Sequence, residues 1–250
     1  MSDSNDSAAK AVLHAEGLRK QFRTKLAVAD VSFSMKQGQV VGLLGPNGAG
    51  KTTSFYMIAG FIKATEGKVW LNDRDITSEP MYRRARLGIN YLPQEPSVFR
   101  KLTVAQNVQA VLEARSDLGK GERRDLLDKL LVDLKITELA DQRADTLSGG
   151  ERRRTEVCRA LATNPRFLLL DEPFSGIDPI SVGDLRDIIA GLAERGIGIL
   201  LTDHNVRDTL AITEHAYIID RGEILTGGTA RELMDNERAR EIYLGRDFTM

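Results

Sequence analysis

The alternation of hydrophobic and polar positions predicts a sheet-forming start to the chain. Short alternating patterns over 12–18 and 27–35, with polar turns between them, indicate an antiparallel sheet. The apolar run 39–44 predicts the first strand of a buried parallel core, and helical spacing over 51–62 predicts the helix that follows it. Residues 67–71 predict a further strand. Strands that alternate with helices in this way are typical of an α/β fold.

The pattern becomes helical in the middle of the chain and then returns to strands. Apolar positions recur at helical spacing from about 103 to 139, which predicts a helical lobe. Continuous apolar runs at 167–170 and 197–201 predict strands buried on both faces, with a helix over 181–195 between them. The turn residues Asp220-Arg221-Gly222, flanked by apolar segments, predict a hairpin.

The domain organisation follows from what the chain lacks. We find neither an internal repeat nor a low-complexity linker, so one domain is more economical than two. We predict a disordered N-terminus at 1–10 and a single α/β domain over 11–250. A helical subdomain is inserted into this domain at about 95–160.

Composition narrows the classes of partner and the cell compartment. The chain has 250 residues, with 35 Lys and Arg against 36 Asp and Glu. With these nearly balanced charges, no overall electrostatic field favours the binding of nucleic acid. Neither a signal-peptide core nor a run approaching ~20 apolar residues is present, which predicts a cytoplasmic protein without direct membrane insertion. The single cysteine, Cys158, is predicted to be a buried small hydrophobe rather than a reactive thiol.

A phosphate-binding loop follows the predicted strand 39–44. The pattern GxxxxGK[ST] places backbone N–H groups and a helix N-terminus around an anion. The lysine would reach the β- and γ-phosphates, and the threonine hydroxyl would bind Mg²⁺. A plain glycine-rich turn needs neither of these two side chains. The loop comprises Gly45, Pro46, Asn47, Gly48, Ala49, Gly50, Lys51 and Thr52.

Two carboxylates end the apolar run 167–170. Asp171 is placed to hold Mg²⁺ through a water, and Glu172 to polarise the water that attacks the γ-phosphate. Taken alone, such a pair also fits the cap of a following helix. Its occurrence together with a phosphate loop favours the nucleotide site.

The segment Leu147-Ser148-Gly149-Gly150-Glu151 predicts a second anion site. Ser148 and Glu151 have the spacing of a capping box, which by itself would only begin a helix. Two consecutive glycines are costly in a helical turn, and they offer bare backbone N–H groups to an anion. The sequence therefore predicts two anion sites about a hundred residues apart, only one of which has a lysine.

These motifs together resemble the ATP-binding cassette (ABC) ATPase family over residues 12–248. The resemblance implies a P-loop NTPase fold with an N-terminal antiparallel β subdomain, and it implies ATP and Mg²⁺ as ligands. It also implies a head-to-tail homodimer that encloses two ATP molecules. In that dimer Ser148, Gly149 and Gly150 of one subunit close over the γ-phosphate held by Lys51, Thr52 and Thr53 of the other.

The resemblance assigns four further residues. Gln94 matches the Q-loop glutamine that touches Mg²⁺ and the attacking water, and His204 matches the switch histidine that bonds the γ-phosphate. Asp178 matches the loop that communicates across the dimer, and we expect it to cap the next helix as well. Phe22 stands where the family stacks an aromatic residue, usually tyrosine, on adenine. Packing in the core is the alternative for Phe22, as it is for His204.

Within the family, the chain resembles the ATPases that power lipopolysaccharide export. The resemblance implies two integral inner-membrane permease proteins, contacted near Gln94–Leu102, and a location on the cytoplasmic face of the inner membrane. The alternatives are the ATPase of a branched-chain amino-acid importer and a soluble ABC ATPase that acts as a switch. Phe99 is either a partner contact or a residue packed in the helical lobe. Arg152–Arg154 form either a solvated helix face or a partner contact.

Overall fold

The strands and helices follow one another in a mixed α/β order. The computed structural model describes residues 10–245 and 248, so most of the predicted disordered N-terminus lies outside the described residues. The strands are β1 Val12–Phe22, β2 Lys25–Lys36, β3 Val40–Leu44, β4 Glu66–Leu71, β5 Arg74–Asp75, β6 Ile89–Leu92, β7 Phe167–Asp171, β8 Gly198–Thr202, β9 His215–Asp220 and β10 Glu223–Gly228. The helices are α1 Lys51–Ala59, α2 Met81–Arg86, α3 Val104–Leu112, α4 Lys120–Asp133, α5 Gly149–Leu161, α6 Pro179–Glu194, α7 Val206–Ile212, α8 Ala230–Asp235 and α9 Glu237–Ala239, the last continued by a π-helical turn at Arg240–Leu244.

The strands of the described chain lie in the order β5-β4-β1-β2-β10-β9-β3-β8-β7-β6. Strands β9, β3, β8, β7 and β6 are parallel, and β1, β2, β4 and β5 pair antiparallel. A single parallel bridge between Glu223 and Asp30 joins the two parts. The α/β fold class, with its mainly parallel core and N-terminal antiparallel part, is therefore confirmed.

Core strands β3, β7 and β8 are buried along their whole length, as their unbroken apolar runs predicted. Helices α3 to α6 pack on one face of these strands, and α1 packs between the parallel core and the antiparallel strands. Parallel strands end at the same edge of a sheet, and this edge is where open α/β sheets bind ligands. The residues that follow β3, β7 and β8 therefore come together.

The sequence patterns did not predict helix α2 or strand β6, which precede the helical lobe in the chain. Helix α2 has six residues, and β6 is a four-residue strand at the sheet edge that pairs with β7. Arg84 of α2 is buried and donates to the carbonyl groups of Met57 and Ile58, at 2.7 and 2.6 Å. These two carbonyls belong to the last turn of α1, where a cation is favourable.

Candidate nucleotide site

The phosphate loop, residues 45–52, connects β3 to α1. A side chain could not replace the glycine at its start, because a Cβ at Gly45 would lie 2.1 Å from the Ile219 carbonyl oxygen. Gly48 adopts a φ of 77°, a left-handed conformation that L-residues with side chains rarely take. Helix α1 begins after Gly50, and no side chain of the described chain caps it. Its first N–H groups therefore remain available to an anion.

Lys51 is buried within this loop. Its Nζ donates to the carbonyl oxygens of Gly45 and Pro46, at 2.7 and 3.1 Å. Burial lowers the pKa of Lys51, and the negative charges of Glu172, Asp171 and Asp203 oppose this change. The ammonium group thus lies within the loop that would hold a phosphate.

An open cleft of about 230 Å³ lies over the loop. Leu26 and Ala27 of β2 line it together with loop residues and Glu172. Phe22, at the end of β1, is 44% exposed, and its ring faces the Lys20 ammonium at 5.0 Å. The core-packing alternative for Phe22 is therefore wrong.

Asp171, the last residue of β7, has two carboxylate oxygens in different environments. Oδ2 accepts a hydrogen bond of 3.0 Å from the Tyr91 hydroxyl, whereas Oδ1 is buried and accepts none from any described residue. Burial raises the pKa of Asp171, and the hydrogen bond from Tyr91 opposes that rise.

This arrangement fits Mg²⁺. Magnesium is usually held by one or two carboxylates together with substrate phosphates and waters. Asp171 offers one unpaired buried oxygen, and Thr52 offers a hydroxyl beside it. In the described part of the chain, no group of three or more His, Cys, Asp or Glu side chains could hold a metal by itself. A phosphate-bound ion is therefore the kind of metal that these residues suit.

Glu172 contacts two of the other predicted catalytic side chains, His204 and Gln94. Its Oε1 lies 2.7 Å from His204 Nε2, and its Oε2 accepts a hydrogen bond of 2.6 Å from Gln94 Nε2. Its backbone has a φ of 45°, an uncommon value for a residue other than glycine and one that is frequent at functional sites. Glu172, His204 and Gln94 come from three separate loops, after β7, β8 and β6.

The loop that carries His204 is fixed by residues that the sequence did not single out. Asp203 is buried and accepts from the backbone N–H groups of Phe174 and Asn205, at 2.8 and 2.9 Å. Its pKa is raised by burial. The Tyr243 hydroxyl, from the C-terminal π-helical turn, donates to the Asp203 carbonyl oxygen at 3.4 Å.

The signature turn, residues 148–150, starts α5. Ser148 caps this helix in a capping box with Glu151. A Cβ at Gly150 would lie 2.4 Å from Ser181 Oγ, so the glycine is needed for close approach to α6 as well as for bare N–H groups. Asp178 caps α6 as predicted, accepting from the N–H groups of Ile180 and Ser181. Among the described residues, no hydrogen bond joins the signature turn to the phosphate loop.

Arg153, the middle residue of the triple arginine, lies neither on a solvated helix face nor at a partner contact. Both alternatives are therefore wrong for this residue. Arg153 is buried and donates to the carbonyl oxygens of Pro93 and Asp171, at 2.7 and 3.0 Å. It also pairs with the buried Glu156 at 3.1 Å. Helix α5 is thus tied to both the Gln94 loop and the end of β7. Its Cys158 is buried as predicted, with a pKa raised to about 12.

The comparison with protein families decides the class of this protein. A family model described as ABC transporter matches residues 28–175, more than half of the chain. The chain belongs to the ABC transporter ATP-binding family. As an ABC ATPase it binds and hydrolyses ATP, which confirms the predicted enzyme class.

Individual relatives match this ABC ATPase over nearly its whole length. A lipopolysaccharide export system ATP-binding protein from Haemophilus influenzae is 50% identical, covering 96% of this chain and 99% of that protein. A protein of the same description from Acidithiobacillus ferridurans is 53% identical, with coverages of 95% and 98%. A solved ATP-binding cassette of an ABC transporter in its ADP conformation superposes with a TM-score of 0.83 at 30% identity, covering 94% and 99%. Within the described residues, no helix is long and apolar enough to span a membrane.

Proposed function

We propose that this ABC ATPase powers lipopolysaccharide export, extracting the lipid from the inner membrane for delivery to the outer membrane. The observation that carries the proposal is a sequence identity of about 50%, over nearly the whole chain, to lipopolysaccharide export ATP-binding proteins from several bacteria. The chain would act on the cytoplasmic face of the inner membrane, and integral permease proteins would contact the lipid.

We infer that Glu172 is the general base for ATP hydrolysis. Its carboxylate lies beside His204 and Gln94, so a water at this position would face a base, a histidine and an amide. Lys51 would exchange the two loop carbonyls for β- and γ-phosphate oxygens, and His204 would bond the γ-phosphate. Catalysis then depends mainly on positioning and on stabilising the charge of the transferring group.

The Glu172→Gln variant tests this assignment. Loss of the base should lower turnover by about 10³-fold, because general bases contribute roughly 10²- to 10⁴-fold. ATP binding should be retained, since the phosphate loop is unchanged, and a closed ATP-bound dimer should accumulate. Turnover by phosphate release and dimerisation by sedimentation measure the two effects. Wild-type turnover in the variant would contradict the role of Glu172.

We propose Mg²⁺ as the metal that accompanies ATP. Thr52 and Gln94 would bind it directly and Asp171 through a water, and the ion would neutralise phosphate charge. Asp171 suits this role because its Oδ1 is buried and accepts no hydrogen bond from any described residue.

We also propose that the active state is a head-to-tail homodimer. The proposal is supported by two glycine-rich helix starts in one chain, of which only the phosphate loop has a lysine, so a second copy would let the two anion sites meet across one nucleotide. The Ser148 hydroxyl and the backbone N–H groups of Gly149 and Gly150 would face the γ-phosphate of the partner's ATP. Asp178 would lie at the same interface, and Phe22 would stack on adenine.

A groove beside β6 is the proposed permease site. It has a volume of about 660 Å³ and is lined by Tyr56, Phe61, Met81, Tyr91 and Arg159, among others. Phe61 and Met81 are 48% and 43% exposed. Exposed aromatic residues around a groove are typical of a helix-binding interface.

Phe99 lies at the rim of this region rather than inside the helical lobe, so the packing alternative for Phe99 is wrong. Its ring is 50% exposed and faces the Arg159 guanidinium at 4.9 Å. The buried Asn107 accepts from the Phe99 N–H and donates to its carbonyl oxygen, at 2.8 and 3.1 Å. The loop therefore presents Phe99 outward on a fixed backbone, as expected of an interface anchor.

The Phe99→Ala variant tests the permease contact. Loss of an anchor should weaken assembly by about 2 kcal/mol, or roughly 30-fold, while the ATPase activity of the isolated subunit is retained. Val132→Ala, at a residue that is 63% exposed on α4, is the surface control. Co-purified membrane proteins are identified by mass spectrometry, and ATP-dependent lipopolysaccharide release is measured from proteoliposomes. Co-purification with an importer permease instead would refute the export function.

A further inference from the structure

Tyr91 lies between the groove and the carboxylate proposed to bind the metal. It is a residue of β6, and it is one of the residues that line the groove. The ring packs edge-on against Phe55, Tyr56 and Phe61, with centroids at 6.5, 5.8 and 5.2 Å. Its hydroxyl donates to Asp171 Oδ2 at 3.0 Å. One side chain thus contacts both functional regions.

The hydroxyl of Tyr91 has a function that packing does not require. The edge-on ring contacts would also form with a phenylalanine, whereas the hydroxyl is close to the Tyr56 side chain and to Asp171. A buried hydroxyl is costly unless it is hydrogen-bonded, and here its acceptor is the carboxylate at the end of β7. The hydroxyl therefore contributes to the orientation of the Asp171 carboxylate.

The hydrogen bond distinguishes the two oxygens of Asp171. With Oδ2 held by Tyr91, rotation of the carboxylate is restricted, and Oδ1 is the oxygen left without a partner in the described chain. Asp171 is proposed to hold the metal through a water, and outer-shell partners of metal-binding groups are known to change metal affinity, because they fix the orientation of those groups.

We propose that Tyr91 is a positioning residue for the metal-binding carboxylate and connects it directly to the permease groove. This inference rests on the proposed Mg²⁺ site. A partner helix that enters the groove and displaces Tyr91 would move the hydroxyl and, with it, Asp171. This route passes through one side chain and is separate from the loop that carries Gln94.

Tyr91→Phe tests the proposal on the isolated full-length subunit. Mn²⁺ binding is followed by electron paramagnetic resonance with a non-hydrolysable ATP analogue present. Mn²⁺ affinity should fall about 10-fold, a typical loss when a residue that orients a metal ligand is changed. Affinity for the analogue in EDTA should not change, because the phosphate loop is intact. Turnover should recover towards the wild-type rate as Mg²⁺ is raised.

Two further variants distinguish a failure of the positioning role from a failure of the metal site. Tyr82→Phe removes a hydroxyl from an exposed tyrosine on α2, which makes no hydrogen bond to Asp171 in the described structure, and it should leave Mn²⁺ affinity unchanged. Asp171→Asn should weaken Mn²⁺ binding more than Tyr91→Phe does. If Asp171→Asn weakens binding and Tyr91→Phe does not, the positioning role is refuted while the metal site stands. If neither variant changes Mn²⁺ affinity, the metal site and the inference are both refuted.

Discussion

The two glycine-rich helix starts differ in what occupies their N–H groups. At α1 no described side chain caps the helix, and Lys51 lies folded against the loop carbonyls. At α5 the Glu151 carboxylate accepts from the Ser148 N–H and hydroxyl, both at 2.8 Å. The Glu151 carboxylate therefore already occupies two donors at the signature turn, the Ser148 N–H and hydroxyl. The phosphate loop is open to nucleotide in one subunit, whereas the Ser148 hydroxyl must leave Glu151 before it can bond a phosphate.

The largest effect on ATP affinity should come from changing the lysine that only the phosphate loop has. Lys51→Ala removes charge-assisted bonds to two phosphates and should lower ATP affinity by about 3 kcal/mol, or roughly 100-fold. Lys25→Ala, at a lysine that lines the same cleft, should change affinity far less. Fluorescent ATP titration measures both. Equal effects of the two variants would contradict the special role of Lys51.

Mixing two inactive subunit variants tests whether the helix starts of α1 and α5, from two different subunits, form one nucleotide site. Lys51→Ala disables the phosphate loop, and Ser148→Arg would block the signature turn. In a mixed dimer both changes fall on one of the two sites, so the other site is intact. We expect the mixture to turn over ATP faster than the average of the two variants measured separately. Turnover equal to that average would refute the head-to-tail arrangement.

A smaller effect, on stability, should distinguish the capping role of Ser148 from its role in catalysis. Ser148→Ala removes a helix cap and should lower the free energy of unfolding by about 1 kcal/mol. Thr229→Ala removes the same kind of capping box, with Glu232, at the start of α8. Both variants should lose similar stability in urea titrations, but only Ser148→Ala should lose turnover. An equal loss of turnover in both would mean that Ser148 acts only through folding.

Sequence patterns predicted the elements whose signals are local. The strands β3 and β7 have unbroken apolar runs, and the phosphate loop encodes its own turn and helix start. Strand β6 was missed because four residues are too few to show a period. It is nevertheless the strand that delivers Gln94 and Tyr91 to the site.

Other features depend on contacts that a linear pattern does not contain. Three consecutive arginines look alike in the sequence, and only the packing of α5 against β7 decides that Arg153 is the buried one. The close approach of Gly150 to Ser181 is likewise a tertiary contact. The match of motifs to a known family supplied the roles of Gln94, Asp178 and His204, which residue types alone left open.

The burial of Cys158 makes the wild-type chain a convenient background for site-specific chemistry. It is the chain's single cysteine, and with a thiol pKa raised to about 12 it is almost wholly protonated at neutral pH. A thiol-reactive spin label or dye should therefore attach to one cysteine introduced on the surface without first removing the native one. Distances between labels near the phosphate loop of one subunit and the signature turn of its partner could then report each closure of the dimer in real time.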